Sequence, residues 1–389
     1  MRTANEKKTA IAFVTPQYGL VGGAENYAYH LAEQLSPQED FEIHVFANRW
    51  SHASPRIIFH KVPVIQFPRF MKPISFAFFC DRLTRAGRFD LIHSHARIFR
   101  MDVLTMHGIP HISWVKNVRK KHMSLFDRAT AWVEKCGLKT GLPVITAVSC
   151  IAKEELLRRY DIPEKRLKVI HPGISPERFY RLDRSTCRNE IRTRHGLLFS
   201  DIVVLFVGLN YEVKRLDLVL EGMAELVRGN TACQSAKLLV VGKPPPHRYL
   251  SLARSLGIAE RCFFAGITQE IEKYYLASDI FIMPSRYDAF GLVVLEAMMA
   301  GLPVVITEKV GAKDLVQSGI QGFVLKDHPS PIDIAEQLAV LFKKETRLAM
   351  GREAKRAASD HRWEKKGRLV ADIYRSLSED KQKGVYSAQ

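Results

Sequence analysis

Short, nearly unbroken apolar runs recur along this chain, separated by longer stretches with helical periodicity. The first, TAIAFV at residues 9–14, leads into the glycine-containing loop YGLVGG and a helical stretch from Ala24 to Leu35. FEIHVFA, DLIHSH, VLTMHG, VITAVS and LKVIHPG follow at intervals. A second series opens with DIVVLFVG at 201–208 and continues through KLLVVG, CFFAG, DIFIMPS, LPVVIT and GFVL. Runs that are apolar at every position, and not at alternate ones, mark strands covered on both faces, as in parallel sheets with helical crossovers. Two series predict an α/β chain of two doubly wound domains. The boundary is expected near HPGISPERFYRLDRS, which is rich in Pro and Arg, and the tail KQKGVYSAQ is expected to fray.

Composition narrows the class. The 389 residues suffice for two domains, and 47% apolar with 25% charged residues is the balance of a soluble globular protein. Six scattered cysteines with no C-x-x-C pair read as reduced thiols of an intracellular protein. No stretch approaches the roughly 20 apolar residues that span a bilayer. The apolar run near the N-terminus is too short for a signal peptide, so a cytoplasmic location is expected. A net charge of +17 favours an anionic partner: nucleic acid, an anionic membrane or a phosphorylated substrate.

Ligands of open parallel sheets bind beyond the carboxyl ends of strands, and three loops there carry chemistry. In GLVGGAEN, Gly22 and Gly23 allow close approach to a ligand and expose helix-start amides, although a structural turn reads equally well. The loop is not G-x-G-x-x-G, and no acid is placed for an adenosine ribose, which disfavours a nicotinamide site. In VGLNYEVKRLDLVL, Lys214 and Arg215 stand at the expected start of a helix. Cations oppose the dipole there unless an anion such as phosphate lies between them and the sheet. In SRYDAFGLVVLEAMMAGLPVV, the amides of Phe290, Gly291 and Leu292 open a helix and suit phosphate oxygens. Glu296, inside an apolar run, suits a vicinal diol such as ribose, and Asp288 in the preceding loop suits a sugar. Ordinary capping by Asp288 with a surface Glu296 is the competing reading. His107, in TMHG after a strand, is a further candidate beside its reading as a satisfied core histidine; HSH at 93–95 reads as structural. The chain has no D-x-D to hold a metal-bound diphosphate, so cations and helix-end amides would do that work.

These motifs, in this order, resemble glycosyltransferase family 4 on the GT-B fold: VGGAEN, TMHG, HPGI, FVG with its following Lys, VVGKPP, FFAG, the carboxylate-bracketed helix and WEKKGRLVADIYRSL. Among members the chain looks most like transferases that glucosylate the heptose of the lipopolysaccharide core, with similarity through FDRATAWVEKCGL. The resemblance implies two Rossmann-like domains facing each other across a cleft, 1–178 for the acceptor and 179–364 for the nucleotide sugar. A helix over 365–389 would return to the first, and closure about HPGISPERF would complete the site. It implies a retaining, metal-independent hexosyltransferase with no cofactor, whose donor is a nucleotide-diphosphate sugar such as UDP-glucose. It sets Glu296 on the donor ribose, Lys214 on the diphosphate, His107 near the donor sugar, and Gly22 and Gly23 against the diphosphate or the transferred sugar. Catalytic roles then fall to Asp288, His107 and Lys214. Asp288 stands where the family usually has Glu, and Leu209 where many members have Arg.

Between HGIPH and KTGLP, Trp114, Val118, Leu125, Ala129, Trp132 and Cys136 recur at helical spacing as one apolar stripe. Lys116, Arg119, Lys120, Lys121, Arg128, Lys135 and Lys139 surround it against Asp127 and Glu134. A basic helix with tryptophans reads as an interfacial segment, with core packing of the stripe as the alternative. The expected division is core packing for its later turns and contact with lipid or a glycolipid acceptor for Trp114, Lys116, Arg119, Lys120 and Lys121. The protein would then sit peripherally on the inner face of the cytoplasmic membrane. A nucleotide-sugar epimerase would not need this helix. A nucleic-acid-binding protein would explain the charge but not the bracketed helix, and no recognition motif for nucleic acid is present.

Overall fold

The computed structural model describes residues 8–20, 22–51, 54–244 and 247–383; the tail expected to fray lies, beyond Lys383, outside the described residues. The chain divides into two compact units, one running to Gly173 and resuming at Trp363, the other Ile174–Arg362.

The first unit is built on seven strands: β1 (Thr9–Val14), β2 (Phe41–Ala47), β3 (Ile57–Lys61), β4 (Leu91–Ser94), β5 (Val103–Met106), β6 (Val144–Ala147) and β7 (Leu167–Val169). Their order is β3-β2-β1-β4-β5-β6-β7, and every pairing is parallel. Winding therefore runs outward from β1 to one side and resumes on the other, which opens a crevice at the carboxyl ends of β1 and β4. Ile11 to Val14 on β1 are fully buried, as continuous apolarity requires. β3 escapes the apolar pattern because it lies at the sheet edge, where IIFHK mixes buried and exposed positions.

The helix Trp363–Gln382 belongs to this unit. Trp363 meets the Tyr27 ring edge-on at 5.1 Å and stacks on His30 at 5.2 Å. Tyr374 Oη lies 2.5 Å from His93 Nδ1, while His93 Nε2 lies 2.7 Å from Thr105 Oγ1, which in turn bonds Thr146. A buried polar relay thus ties the last helix through β4 to β5 and β6. HSH is structural at His93, as expected of an imidazole with both nitrogens occupied.

The second unit repeats the winding with β8 (Ile202–Gly208), β9 (Ala236–Gly242), β10 (Cys262–Gly266), β11 (Ile280–Met283), β12 (Val304–Thr307) and β13 (Gly322–Leu325). Their order is β10-β9-β8-β11-β12-β13, again parallel throughout. Each of these strands coincides with an apolar run of the sequence. The loops after β8 and β11 consequently lie side by side.

His93 is wholly enclosed, and burial pulls its pKa down to about 3 from 6.5. The unfolded chain takes up a proton near the ordinary value that the folded chain refuses until about pH 3. Stability is therefore complete above the unfolded value and is lost as pH falls below it. Urea titrations of the protein below pH 6.5 should show a loss of about 1.4 kcal/mol per pH unit from this group alone. A profile flat from neutrality to about pH 4.5 would contradict a neutral buried imidazole.

Candidate active site

In the second unit β8 ends at Gly208, and the chain makes a single helical turn, Tyr211–Lys214. Lys214 closes that turn; it does not open the following helix, Leu216–Gly229, as the sequence suggested. Between the two, Arg215 takes a left-handed conformation with φ of 59°. This break is what lets Lys214 fold back over the strand end. A Cβ on Gly208 would run into the Lys214 side chain, so the strand must finish on glycine for the ammonium to reach inward. Lys214 Nζ lies 2.9 Å from Asp288 Oδ2 and 3.0 Å from Met283 Sδ. Arg215 is turned aside, its Nε 3.1 Å from Asp217 Oδ2.

Asp288 lies in the loop after β11, anchored by its backbone, which donates to Lys309 O and accepts from the Gly311 amide, both at 2.9 Å. Its other carboxyl oxygen accepts the Phe290 amide at 3.3 Å. The Phe290 amide therefore faces this carboxylate within the loop, and Asp288 does not cap the helix that follows. Gly291, with φ of 88°, then caps the helix Leu292–Met299, and no side chain caps its first turn.

Glu296 projects from the second turn of that helix and is 17% exposed at the side chain, which excludes the surface reading. Tyr275 Oη donates to Glu296 Oε2 at 2.9 Å, and an Arg178 nitrogen lies 3.7 Å from Oε1. Arg178 also pairs with Glu272. Burial raises the Glu296 pKa, while Arg178 and the Tyr275 hydroxyl oppose the rise. The carboxylate is therefore enclosed and held, with one partner at each oxygen. Sequence reasoning missed both: Arg178 lay within what looked like a linker, and Tyr275 within an ordinary helical pattern.

In the first unit Gly22 precedes the helix Gly23–Leu35 with φ of 156°, and a Cβ there would collide with the Glu25 carboxylate. An acidic group therefore occupies the space beside the glycine at this helix start. His107 follows β5, its Nε2 2.9 Å from His95 Nδ1 and its ring edge-on to Tyr27 at 4.9 Å. Burial, helped by the charge on Arg97, pulls the His107 pKa down to about 3, so the ring is neutral at physiological pH. His95 was read as structural; its bond to His107 gives it a part in orienting that ring. The spacing of HSH, which sets alternate residues on one side of a strand, was the available signal.

The basic segment is not one helix. A turn at His111–Ser113 passes into a π-helical turn, Trp114–Val118, and the chain then breaks, with Lys120 at φ of 50°. A second helix, Leu125–Lys139, starts from a capping box made by Ser124 and Asp127. Its core face is Ala131, Val133, Gly137 and Leu138 with Asp127, Thr130 and Glu134, while Ala129 and Cys136 of the expected apolar stripe are half-buried. Leu125 is 66% exposed and Trp132 51%, so core packing of the stripe fails at these two positions. The two acids of the segment are the enclosed ones. Glu134 accepts from Arg97 at 2.5 Å and Tyr160 at 2.7 Å, and Asp127 lies 2.9 Å from His111 Nε2. Lys116, Arg119, Lys120 and Lys121 are all exposed. With Arg128, His122 and Met123, three of these lysines line a cavity of about 720 Å³.

Known proteins bear on this arrangement. Residues 21–178 match the model of Glycosyltransferase Family 4, and residues 188–357 match that of Glycosyl transferases group 1. A D-inositol 3-phosphate glycosyltransferase of Rhodococcus opacus is 27% identical over 92% of this chain and 87% of its own length. The protein so named from Streptomyces avermitilis is 26% identical over 96% and 87%. Among solved structures, WaaG, a glycosyltransferase involved in lipopolysaccharide biosynthesis, superposes with a TM-score of 0.79 at 21% identity, over 93% of this chain and 99% of its own. Alr3699/HepE of Anabaena, in complex with UDP-glucose, gives 0.71 at 17% identity over 95% and 100%. Both parallel-sheet units match in order, and together with these relatives they show that the chain is a nucleotide-sugar-dependent glycosyltransferase of family 4, with the GT-B fold.

Proposed function

We propose that this enzyme transfers a hexose, glucose from UDP-glucose, with retention and without a metal ion, to a membrane-anchored glycolipid such as the lipopolysaccharide inner core. The donor reading is carried by one observation: an enclosed carboxylate, Glu296, stands one helical turn behind a lysine–aspartate pair at the crevice of the second sheet. In that reading Glu296 accepts from the ribose hydroxyls, with Tyr275 and Arg178 fixing its orientation. Lys214, which lies against Asp288, would turn to the diphosphate, whose larger charge competes for the ammonium. Asp288 is then released to accept from hydroxyls of the hexose. The UDP-glucose complex of the structurally similar HepE supports this donor. The metal-free reading rests on the missing D-x-D and on Lys214 as the counter-charge to the leaving diphosphate. Retention would follow from same-face displacement assisted by the departing phosphate.

For the acceptor, the exposed Leu125 and Trp132 beside exposed lysines form the face that an anionic bilayer would attract. The protein would work peripherally at the inner face of the cytoplasmic membrane. A second reading, a soluble inositol phosphate acceptor, is favoured by the names of the sequence relatives and by the lysine-lined cavity at Lys116, Lys120 and Lys121. Radiolabelled transfer from UDP-glucose to heptose-containing core glycolipid or to inositol phosphate separates them.

Transfer should persist in excess EDTA. Loss of product with chelator, restored by magnesium or manganese, would refute the metal-free step. Glu296→Ala should weaken UDP binding by roughly ten- to a hundredfold in calorimetry, since a charge-assisted bond contributes about 1.5–3 kcal/mol. Asp288→Asn should leave UDP affinity nearly unchanged and lower kcat/KM by roughly a hundredfold, because its contacts align the sugar in the transition state. Equal effects of the two variants on UDP affinity would overturn the division of roles. Replacing Lys116, Arg119, Lys120 and Lys121 with Gln should abolish sedimentation with anionic vesicles, each cation near such a surface contributing about 1 kcal/mol. Donor hydrolysis should survive the change, and a variant that still sediments would show that these charges serve something else.

A further inference from the structure

The second unit holds another cavity, of about 730 Å³, at the opposite edge of its sheet from Lys214 and Asp288. Asp279, which precedes β11, and Ala300 and Gly301, which follow the helix Leu292–Met299, form its floor. The full length of that helix, about 12 Å, separates it from the loop that carries Asp288.

Six cations line this cavity and, among the described residues, one carboxylate. That carboxylate is already engaged: Asp279 Oδ2 accepts from Arg192 at 2.7 Å and the Val203 amide at 2.8 Å, and Oδ1 takes Arg188 at 3.0 Å. Arg184 and Arg347 are held differently. Arg184 donates to Ala300 O at 2.7 Å, and Arg347 to Leu341 O and Phe342 O at 2.9 and 3.0 Å. Carbonyl acceptors fix a guanidinium in place without cancelling its charge. Burial lowers the pKa of both, and the nearby charge of Asp279 opposes the shift while that of Arg188 adds to it. Lys344, Arg352 and Lys355 stand exposed around the mouth, and Lys355 lies 5.3 Å over the Tyr180 ring. No carboxylate is recorded within ion-pair distance of these three among the described residues. Leu276, Met299 and the half-exposed Leu348 supply an apolar wall.

We propose that this cavity binds a phosphate ester carrying at least two negative charges, as a site separate from the donor site. Fixed guanidiniums at the floor would take phosphoryl oxygens in the way such forks do elsewhere. The exposed cations at the mouth would raise the local concentration of anions, and the Leu348 wall would accept the carbon part of the ligand. Such an ester could be a soluble phosphorylated metabolite or the headgroup of a lipid at a surface, and the test separates the two.

Inorganic tripolyphosphate is the soluble probe, added with saturating UDP so that the donor site is filled. Amine acetylation of the wild-type protein, read by mass spectrometry, should slow about fivefold or more at Lys344 and Lys355 and stay unchanged at the exposed Lys168. The variant K344Q/R352Q/K355Q should bind tripolyphosphate at least about tenfold more weakly in calorimetry, with UDP affinity retained. If only phosphatidylglycerol vesicles protect the two lysines, and the variant loses that protection, the phosphoryl group belongs to a lipid. Uniform protection of all exposed lysines, or none in either arm, would overturn the proposal and leave a solvated basic face. The acetylation pattern is read on the wild-type chain, so the result stands even if the variant folds poorly.

Discussion

Parallel strands can be joined only by crossovers, and each crossover delivers a loop to the carboxyl edge of the sheet. Where the winding reverses, two such loops lie together with no helix between them. In the second unit these are the loops after β8 and β11, and they carry Lys214 and Asp288. The 2.9 Å contact between those side chains is a direct consequence of strand order. It also depends on local detail: Gly208 leaves room for the lysine stem, and the left-handed Arg215 turns the chain so that Lys214 points inward while Arg215 does not. A chain with the same helices and strands but another winding would have kept the pair apart.

Enclosure sets the chemistry around this pair. A buried carboxylate is costly unless it is hydrogen-bonded and offset by charge. Glu296 meets both conditions through Tyr275 and Arg178, and its raised pKa records the residual cost. The same logic runs through the first unit, where His93 is kept neutral by burial and satisfied by Tyr374 and Thr105. Glu296 and His93 are thus each assigned to named partners, and those partners hold their orientation.

Charge segregation in the basic segment follows a similar rule. Asp127 and Glu134 are drawn inward, each bound to several donors, while the lysines and arginines remain at the surface. The apolar residues Leu125 and Trp132 lie on the same outward side. A count of charges along the segment understates the field it presents, because its two acids are withdrawn from that surface.

The sequence by itself determined the architecture. Continuous apolar runs can be buried only between two layers of helices, so TAIAFV, DIVVLFVG and their successors announced two parallel sheets with twelve of the thirteen main strands. IIFHK was lost because an edge strand is covered incompletely and carries no continuous signal. The family motifs likewise marked Lys214, Asp288 and Glu296, since glycine-bounded turns and a carboxylate inside an apolar helix leave a local imprint. Tertiary structure alone decided their partners: Arg178 and Tyr275 beside Glu296, His95 beside His107, Asp288 on Lys214. It also turned Leu125 and Trp132 outward, against the ordinary meaning of helical periodicity. The physical reason is the range of the interactions. Burial of a strand is written in its own few residues, whereas a partner some twelve to more than a hundred residues away is chosen by winding and packing, which no local pattern encodes.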